Sequence, residues 1–305
     1  MGRVTLNELQ RMADDGRRIT MLTAYDYPMA RLVDQAGVEI VLVGDSLAMV
    51  VLGLESTTSV TMDEMLHHAK AARRGVQRAL LVGDMPFGSF HGGAEAAIRN
   101  ATRFLKEAGC DAVKLEWTPG VEKIAAAIVQ AGIPVMGHVG LTPQTAASLG
   151  GFKVQGRDAA SASRILGSAV ALEEAGCFAM VLECIPDRLA AAITRRLAIP
   201  TIGIGAGPSC DGQVLVTHDL LGLFDRFTPK FVKRYANLSA TIVQAVQSFR
   251  QEVQEGKFPS AAQTFTMAEG EFKQLEQSRG GSGASAQAPH AHGVNRLRSQ
   301  TLKRR

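Results

Sequence analysis

The stretch VLVGDSL, residues 41–47, runs from an apolar segment straight into a carboxylate, Asp45, and a hydroxyl, Ser46. A charge at the end of a core strand costs desolvation unless something there uses it. The chain repeats the device at LLVGDMP, residues 80–86, where Leu80, Leu81 and Val82 lead through Gly83 to Asp84. Two such endings in matching frames point to a repeated strand unit with chemistry at its C-terminal end.

Working outward from these two runs, short segments rich in Val, Ile and Leu alternate with longer helical patterns, the signature of βα units around a parallel sheet. Eight strands are expected, at 19–26, 40–45, 79–84, 112–117, 134–139, 178–183, 201–207 and, more weakly, 214–219. Helical patterns at 61–75, 94–108, 121–131, 159–175 and 187–198 separate them, several closing on Gly. Strands that are apolar throughout have both faces covered. Eight βα units in about 250 residues match a (β/α)₈ TIM barrel, whose active sites lie at the C-terminal ends of the strands. A doubly wound dinucleotide fold is the competitor, but it wants G-x-G-x-x-G after an early strand. The Gly-rich strand end here, Gly203 to Gly207, is late and breaks that pattern at Pro208. Tight backbone packing is its plain reading, and cradling an anion is the alternative.

Of the 305 residues, 46% are hydrophobic, enough for a sizeable core. No run approaches the ~18 apolar residues of a membrane span, the N-terminus has no signal-peptide pattern, and Leu6 makes Gly2 a poor myristoylation site. A cytoplasmic enzyme is expected. Cys110, Cys177, Cys184 and Cys210 form no C-x-x-C pair and read as reduced, mostly core residues. The formal charge of +4 invites a nucleic-acid reading, but Arg296, Arg298, Lys303, Arg304 and Arg305 carry five positive charges, and without them the chain stands at −1. The basic character belongs to a tail, so neither nucleic acid nor membrane is an expected partner. Within that tail, Ser278 to Gly293 is Gly, Ser and Ala-rich and reads as disordered. The expected division is a catalytic barrel at 1–265, with its N-terminal helix and a C-terminal helical segment, and a largely disordered extension at 266–305.

On the strands, polar residues collect at one end. Asp45, Asp84, Glu116 and Glu183 stand at or next to strand ends, with Ser46 beside Asp45, Lys114 within the fourth strand and His138 near the end of the fifth. In a barrel these positions converge on one mouth. Carboxylates brought together repel and take up protons unless positive charge lies between them. A divalent cation answers that need, and oxygen-only ligation favours Mg²⁺ first and Mn²⁺ second, with the remaining positions left to water or substrate. Such a site suits a 2-oxo acid held through its carboxylate and carbonyl oxygens. One or two carboxylates would be ligands and another the base that removes a proton to form an enolate. Lys114 alternates with Val113 and Leu115 and so faces opposite to them, as an inward-pointing functional group or as a structural ion-pair partner. His138 reads equally as a core or a catalytic histidine. His67 and His68 read as surface residues of a helix.

These residues stand in a longer series of motifs. TAYDYPMA (23–30), VLVGDSLAMVVLG (41–53), VTMDEMLHHAKAARRG (60–75), DMPFGSF (84–90), VKLEW (113–117), GHVGLTPQ (137–144), GGFKVQGR (150–157), VLECIP (181–186), IPTIGIGAGPSCDGQVLVTHDLLGL (199–223) and PKFVKRY (229–235) resemble the ketopantoate hydroxymethyltransferase family in the same order, over about residues 3–265. The resemblance implies a phosphoenolpyruvate/pyruvate-type barrel with bound Mg²⁺. It implies transfer of a one-carbon unit from 5,10-methylenetetrahydrofolate to 3-methyl-2-oxobutanoate. It also implies Asp45, Asp84 and Glu116 around the metal, substrate contacts from Asp45, Ser46, Asp84 and Lys114, and Glu183 as proton acceptor. His138 is the remaining candidate substrate contact. Family members form large homo-oligomers. No role is carried onto Trp117. The alternative enzyme, a metal-dependent 2-oxo acid lyase or mutase on the same barrel, often carries a K-K/R-C-G-H type loop that this chain lacks. A barrel kept only as a binding scaffold is expected to show a broken catalytic set, whereas Asp45, Asp84, Lys114, Glu116 and Glu183 are all present.

The composition of the tail generates the first testable expectation. A chain truncated at Gln277 keeps its turnover and melting temperature, as measured by steady-state assay and thermal unfolding. A loss of several degrees shows instead that the tail docks on the body.

Overall fold

All eight apolar runs form strands in the computed structural model, which describes residues 2–279. They are β1 (Ile19–Thr23), β2 (Ile40–Val43), β3 (Leu80–Asp84), β4 (Ala112–Glu116), β5 (Val135–Gly140), β6 (Ala179–Glu183), β7 (Thr201–Ile204) and β8 (Gly212–Leu215). Each pairs in parallel with the next, and β8 pairs with β1, closing a barrel in chain order. The helices are α1 (Leu6–Asp14), α2 (Tyr27–Gln35), α3 (Leu47–Val50), α4 (Met62–Gly75), α5 (Ala94–Lys106), α6 (Val121–Gln130), α7 (Ala159–Glu174), α8 (Asp187–Arg196), α9 (Thr217–Leu220), α10 (Leu238–Gln254) and α11 (Glu269–Arg279). Helix starts follow local chemistry. At α4, Thr61 and Glu64 close a reciprocal capping box, and Asp26 caps α2 through the Met29 amide.

The period-two alternation of the strands divides the apolar residues into two layers. One set, including Ile19, Met21, Ile40, Leu42, Leu80, Val82, Met136, Val181 and Ile202, fills the barrel, and Leu9 and Met12 of α1 pack onto it. The other set, including Val41, Val43, Leu81, Val113, Leu115, Val135 and Leu182, packs with helix residues such as Ala69, Phe104, Ile128 and Leu172. The inward parity continues into Asp84, Lys114, Glu116, His138 and Glu183, so the polar residues are the top layer of the barrel's own interior. At the seam, the Thr217 amide donates to Thr23 Oγ1 at 3.0 Å and the Thr217 hydroxyl to the Thr23 carbonyl at 2.5 Å.

Several boundaries differ from expectation for local reasons. β1 stops at Thr23 because Asp26 begins α2. β7 stops at Ile204 because Gly205 and Gly207 take positive φ. A Cβ at Gly205 would lie 2.7 Å from the Phe231 ring and one at Gly207 2.6 Å from Asp187 Cβ, so the Gly-rich turn serves close packing. β8 starts at Gly212, earlier than read, and gives way to α9 because Thr217 turns back to the seam. His68 is half-buried and bonds the Tyr25 carbonyl through Nδ1 at 2.7 Å, which corrects its reading as a surface residue; His67 is exposed. Cys110, Cys177 and Cys210 are buried and Cys184 is half-buried, all unpaired.

The chain up to Val243 forms one compact unit, and the described residues from Gln244 form another. In the second, residues 269–279 are helical where disorder was expected, although none of them is buried. The disordered reading of the tail otherwise falls outside the described residues. No helix among the described residues is long and apolar enough to cross a membrane.

Close approach of α5 to β3 depends on the glycine of the second VGD run. A Cβ at Gly83 would lie 2.4 Å from Phe104 Cδ1, and Phe104 is fully buried. Gly83→Ala is expected to destabilise by about 1–3 kcal/mol through overpacking. Denaturant unfolding checks this, with Gly83→Ala/Phe104→Leu recovering part of the loss.

Candidate active site

Strand register decides which polar side chains meet. Asp84 is the register partner of Lys114, Glu116 of His138, and Gly140 of Glu183. The side-chain distances follow that ladder. Lys114 Nζ lies 2.8 Å from Asp84 Oδ1 and 3.9 Å from Glu116 Oε1, and 3.3 Å from His138 Nδ1. His138 Nδ1 is 3.6 Å from Glu116 Oε1, while its Nε2 is 3.2 Å from Glu183 Oε2 without hydrogen-bond geometry. An ammonium only donates, so His138 Nδ1 is the acceptor and Nε2 carries the proton that faces Glu183.

The two VGD runs are alike in letters and opposite in phase. Val43 pairs with Gly83, so Gly44 stands level with Asp84 and Asp45 lies one residue beyond. Asp84 points inward from within β3, whereas Asp45 reaches the same place from the turn after β2, where its backbone amide donates to Asp84 Oδ2 at 3.1 Å. Ser46 immediately precedes α3, and its Oγ meets the Tyr25 hydroxyl at 2.9 Å. Every candidate site residue named from the sequence therefore reaches one mouth: Asp45, Ser46, Asp84, Lys114, Glu116, His138 and Glu183 line a cavity of about 300 Å³.

One participant was missed. Gln144, in the turn after β5, is 4% exposed. Its Nε2 donates to Asp45 Oδ2 and to the Met85 carbonyl, each at 3.0 Å, and its backbone amide donates to Glu116 Oε2 at 2.9 Å. It ties two of the carboxylates to each other through one residue. Its place as the last residue of GHVGLTPQ, following a strand end, was the available signal.

Electrostatics show a shortage of positive charge. Burial raises Asp45 far above the usual carboxylate range, and neighbouring Asp84 adds to this. Burial also raises Glu116, against the pull of Lys114. Glu183 is pushed by burial up to about 7, again opposed by Lys114. Burial opposes the Lys114 charge, but Asp84, Glu116 and Asp45 outweigh it and hold the ammonium protonated. Burial and then Lys114 hold His138 neutral. A single ammonium, 2.8 Å from Asp84 Oδ1, does not satisfy four carboxylates, three of which burial drives toward the neutral form. An all-oxygen set with more carboxylates than positive charge fits a hard divalent cation. Among the described residues no three His, Cys, Asp or Glu side chains form a ready metal cage. The reason is local: the Lys114 ammonium stands between Asp84 and Glu116, and the Gln144 amide holds Asp45. A cation here has few protein ligands.

Comparison with known proteins covers the whole barrel. The family model described as ketopantoate hydroxymethyltransferase matches residues 3–261. The 3-methyl-2-oxobutanoate hydroxymethyltransferase of Moorella thermoacetica is 60% identical over 263 residues, covering 86% of this chain and 98% of that protein. Among solved structures, phosphoenolpyruvate phosphomutase from Streptomyces platensis subsp. rosaceus superposes with a TM-score of 0.57 at 16% identity, over 92% of this chain and 96% of that one. A phosphonopyruvate hydrolase in complex with oxalate and Mg²⁺ gives 0.56 at 17% identity, over 90% and 96%. At such identities these two show the barrel fold alone.

Gln144→Leu keeps much of the side-chain volume and removes both donors, leaving Asp45 Oδ2 and the Met85 carbonyl buried without them. The expected loss of stability is about 1–3 kcal/mol, the cost of unsatisfied buried polar groups. Chemical denaturation of the purified variant measures it.

Proposed function

The chain belongs to the ketopantoate hydroxymethyltransferase family and adds a hydroxymethyl group to 3-methyl-2-oxobutanoate; from that premise we propose how the barrel mouth does so, giving 2-dehydropantoate. Asp45, Asp84 and Glu116 would hold a divalent cation, Mg²⁺ before Mn²⁺, which when bound draws electrons from the 2-oxo group and eases loss of the C3 proton. Lys114 and Ser46 bind the oxo acid, the ammonium facing its negative oxygens and the hydroxyl oriented by Tyr25. Glu183 accepts the C3 proton. His138, neutral and with Nε2–H toward Glu183 Oε2, positions that carboxylate and contacts the substrate. C3 then bonds to the methylene carbon of 5,10-methylenetetrahydrofolate as its bonds to N5 and N10 break; one water supplies the hydroxyl of the product, and the two folate nitrogens take up protons to leave tetrahydrofolate.

The observation that carries these roles is the difference in exposure among the carboxylates. The Glu183 side chain keeps 16% of its surface, against 2% for Asp84 and 1% for Glu116. It ends β6, away from the β2–β4 cluster, and is open to a substrate the others hold. Its pKa of about 7 suits a base at neutral pH.

The finer surroundings belong to the same reading. The enzyme works in the cytoplasm, consistent with four unpaired cysteines. It assembles as a homo-oligomer, a reading supported by α10, whose Ile242, Val246, Phe249 and Val253 are each roughly half exposed.

Glu183→Gln keeps shape without basicity. Deuterium exchange at C3, followed by NMR with metal and oxo acid but no folate, and full turnover should both fall by ~10² to 10⁴ with substrate binding kept. Exchange at the wild-type rate in this variant assigns the base elsewhere, with His138 next to test. Because the Glu183 pKa is raised and the ionised form reacts, wild-type kcat/KM is expected to climb with pH and level off above about 7. Separately, a chelator abolishes turnover and added Mg²⁺ restores it. Full activity in excess chelator overturns the metal role.

A further inference from the structure

The cavity does not end at the polar layer. Beyond Glu183 its wall is aromatic, with Phe152, Phe224, Phe227 and Phe231 lining it together with one more carboxylate, Asp219. A small branched oxo acid at the polar end leaves part of the roughly 300 Å³ free, and because the cavity opens to solvent one end of a larger second ligand can enter it. Phe152 is 58% and Phe227 47% exposed, whereas Phe90 and Phe104 in the core are at 1% or below. Phe227 is held edge-on against Phe224, with centroids 5.3 Å apart at 87°. Phe231 is fixed against Gly205, where any Cβ would collide with its ring. Phe152 and Phe227 thus present open aromatic faces, the latter braced by the buried Phe224.

Asp219 gives this wall its chemical preference. It sits on α9, directly after β8, and is half-buried. Burial raises its pKa, with Arg234 opposing. Arg234 does not pair with it; that guanidinium donates to Thr228 Oγ1 at 2.7 Å and reaches the Phe224 carbonyl at 3.5 Å, bracing the phenylalanine loop. Among the described residues no side chain donates to the Asp219 carboxylate. A carboxylate beside aromatic faces matches a flat heteroaromatic ring with two adjacent N–H donors, which it can bind in parallel. At the rim, Lys230 is exposed between Pro229 and Phe231, both on the cavity wall, so its ammonium is available to an anionic tail.

We propose that this outer half of the cavity seats the reduced folate. The pterin ring lies against the phenylalanine wall and gives its N3–H and 2-amino hydrogens to Asp219, and the glutamyl carboxylates extend toward Lys230. The carbon to be transferred is attached at the pterin's edge, so a ring seated above the polar layer presents it to C3 of the oxo acid. This seat rests on the folate being the one-carbon donor.

The test uses the full chain with Mg²⁺ and varies the two substrates separately. Asp219→Asn is expected to raise the KM for 5,10-methylenetetrahydrofolate roughly 10- to 100-fold, the loss of a charge-assisted hydrogen-bond pair. The KM for 3-methyl-2-oxobutanoate and folate-independent exchange at C3 stay at wild-type values, which also shows that the variant folds. Phe227→Leu raises the folate KM in the same selective way and Phe227→Tyr restores it. An unchanged folate KM in Asp219→Asn, or an equal rise in both KM values, overturns the seat while wild-type turnover with folate still stands. A wild-type enzyme that forms no tetrahydrofolate removes the donor reading and the seat together.

Discussion

The buried ammonium of Lys114 is the charge around which the barrel mouth is organised. It stands within 4 Å of Asp84, Glu116 and the His138 ring, in a layer where water is nearly excluded. Burial disfavours its charge, yet three carboxylates together outweigh burial. Without it those carboxylates could ionise only at far greater cost. A buried charge cluster of this kind is a poor source of stability. The apolar layers within and around the barrel carry the fold and hold the charges in place.

The same environment separates the carboxylates by role. Asp45, Asp84 and Glu116 are almost wholly enclosed and locked by Gln144, by a backbone amide and by Lys114. Such fixed oxygens suit a ligand set. Glu183 lies on the far side of His138, keeps partial exposure and titrates near neutrality, which suits proton transfer. In the proposed roles, different surroundings divide chemically similar groups into holders and a base. His138 is the partition between them, and its neutrality follows from standing beside an ammonium in a buried layer.

Function also requires that the polar layer not be sealed. Beyond it the wall is built by α9 and the residues that follow β8, and the seam bonds between Thr217 and Thr23 set where α9 begins. Aromatic rings and Asp219 line that space. The cavity therefore has a charged floor and an apolar upper wall, an arrangement suited to two reactants of different polarity.

Much of this was legible in the chain itself. Short, β-branched-rich apolar runs bounded by turns read as strands covered on both faces, and eight of them alternating with helical patterns leave few closed architectures. Inward parity then places Asp84, Lys114, Glu116 and Glu183 in one layer, because side chains alternate with period two in every strand. What the sequence does not encode locally is phase between strands. VGD at 43–45 and VGD at 82–84 read alike, yet register sets Gly44 rather than Asp45 level with Asp84, so one carboxylate is in a strand and the other on a turn. The Gln144 clamp, the direction of His138 Nε2 and the entry of Asp219 into the cavity depend in the same way on residues far apart in the chain. Strand identity follows from short-range patterning and burial, whereas the meeting of these side chains follows only from barrel closure, which fixes the register of all eight strands together.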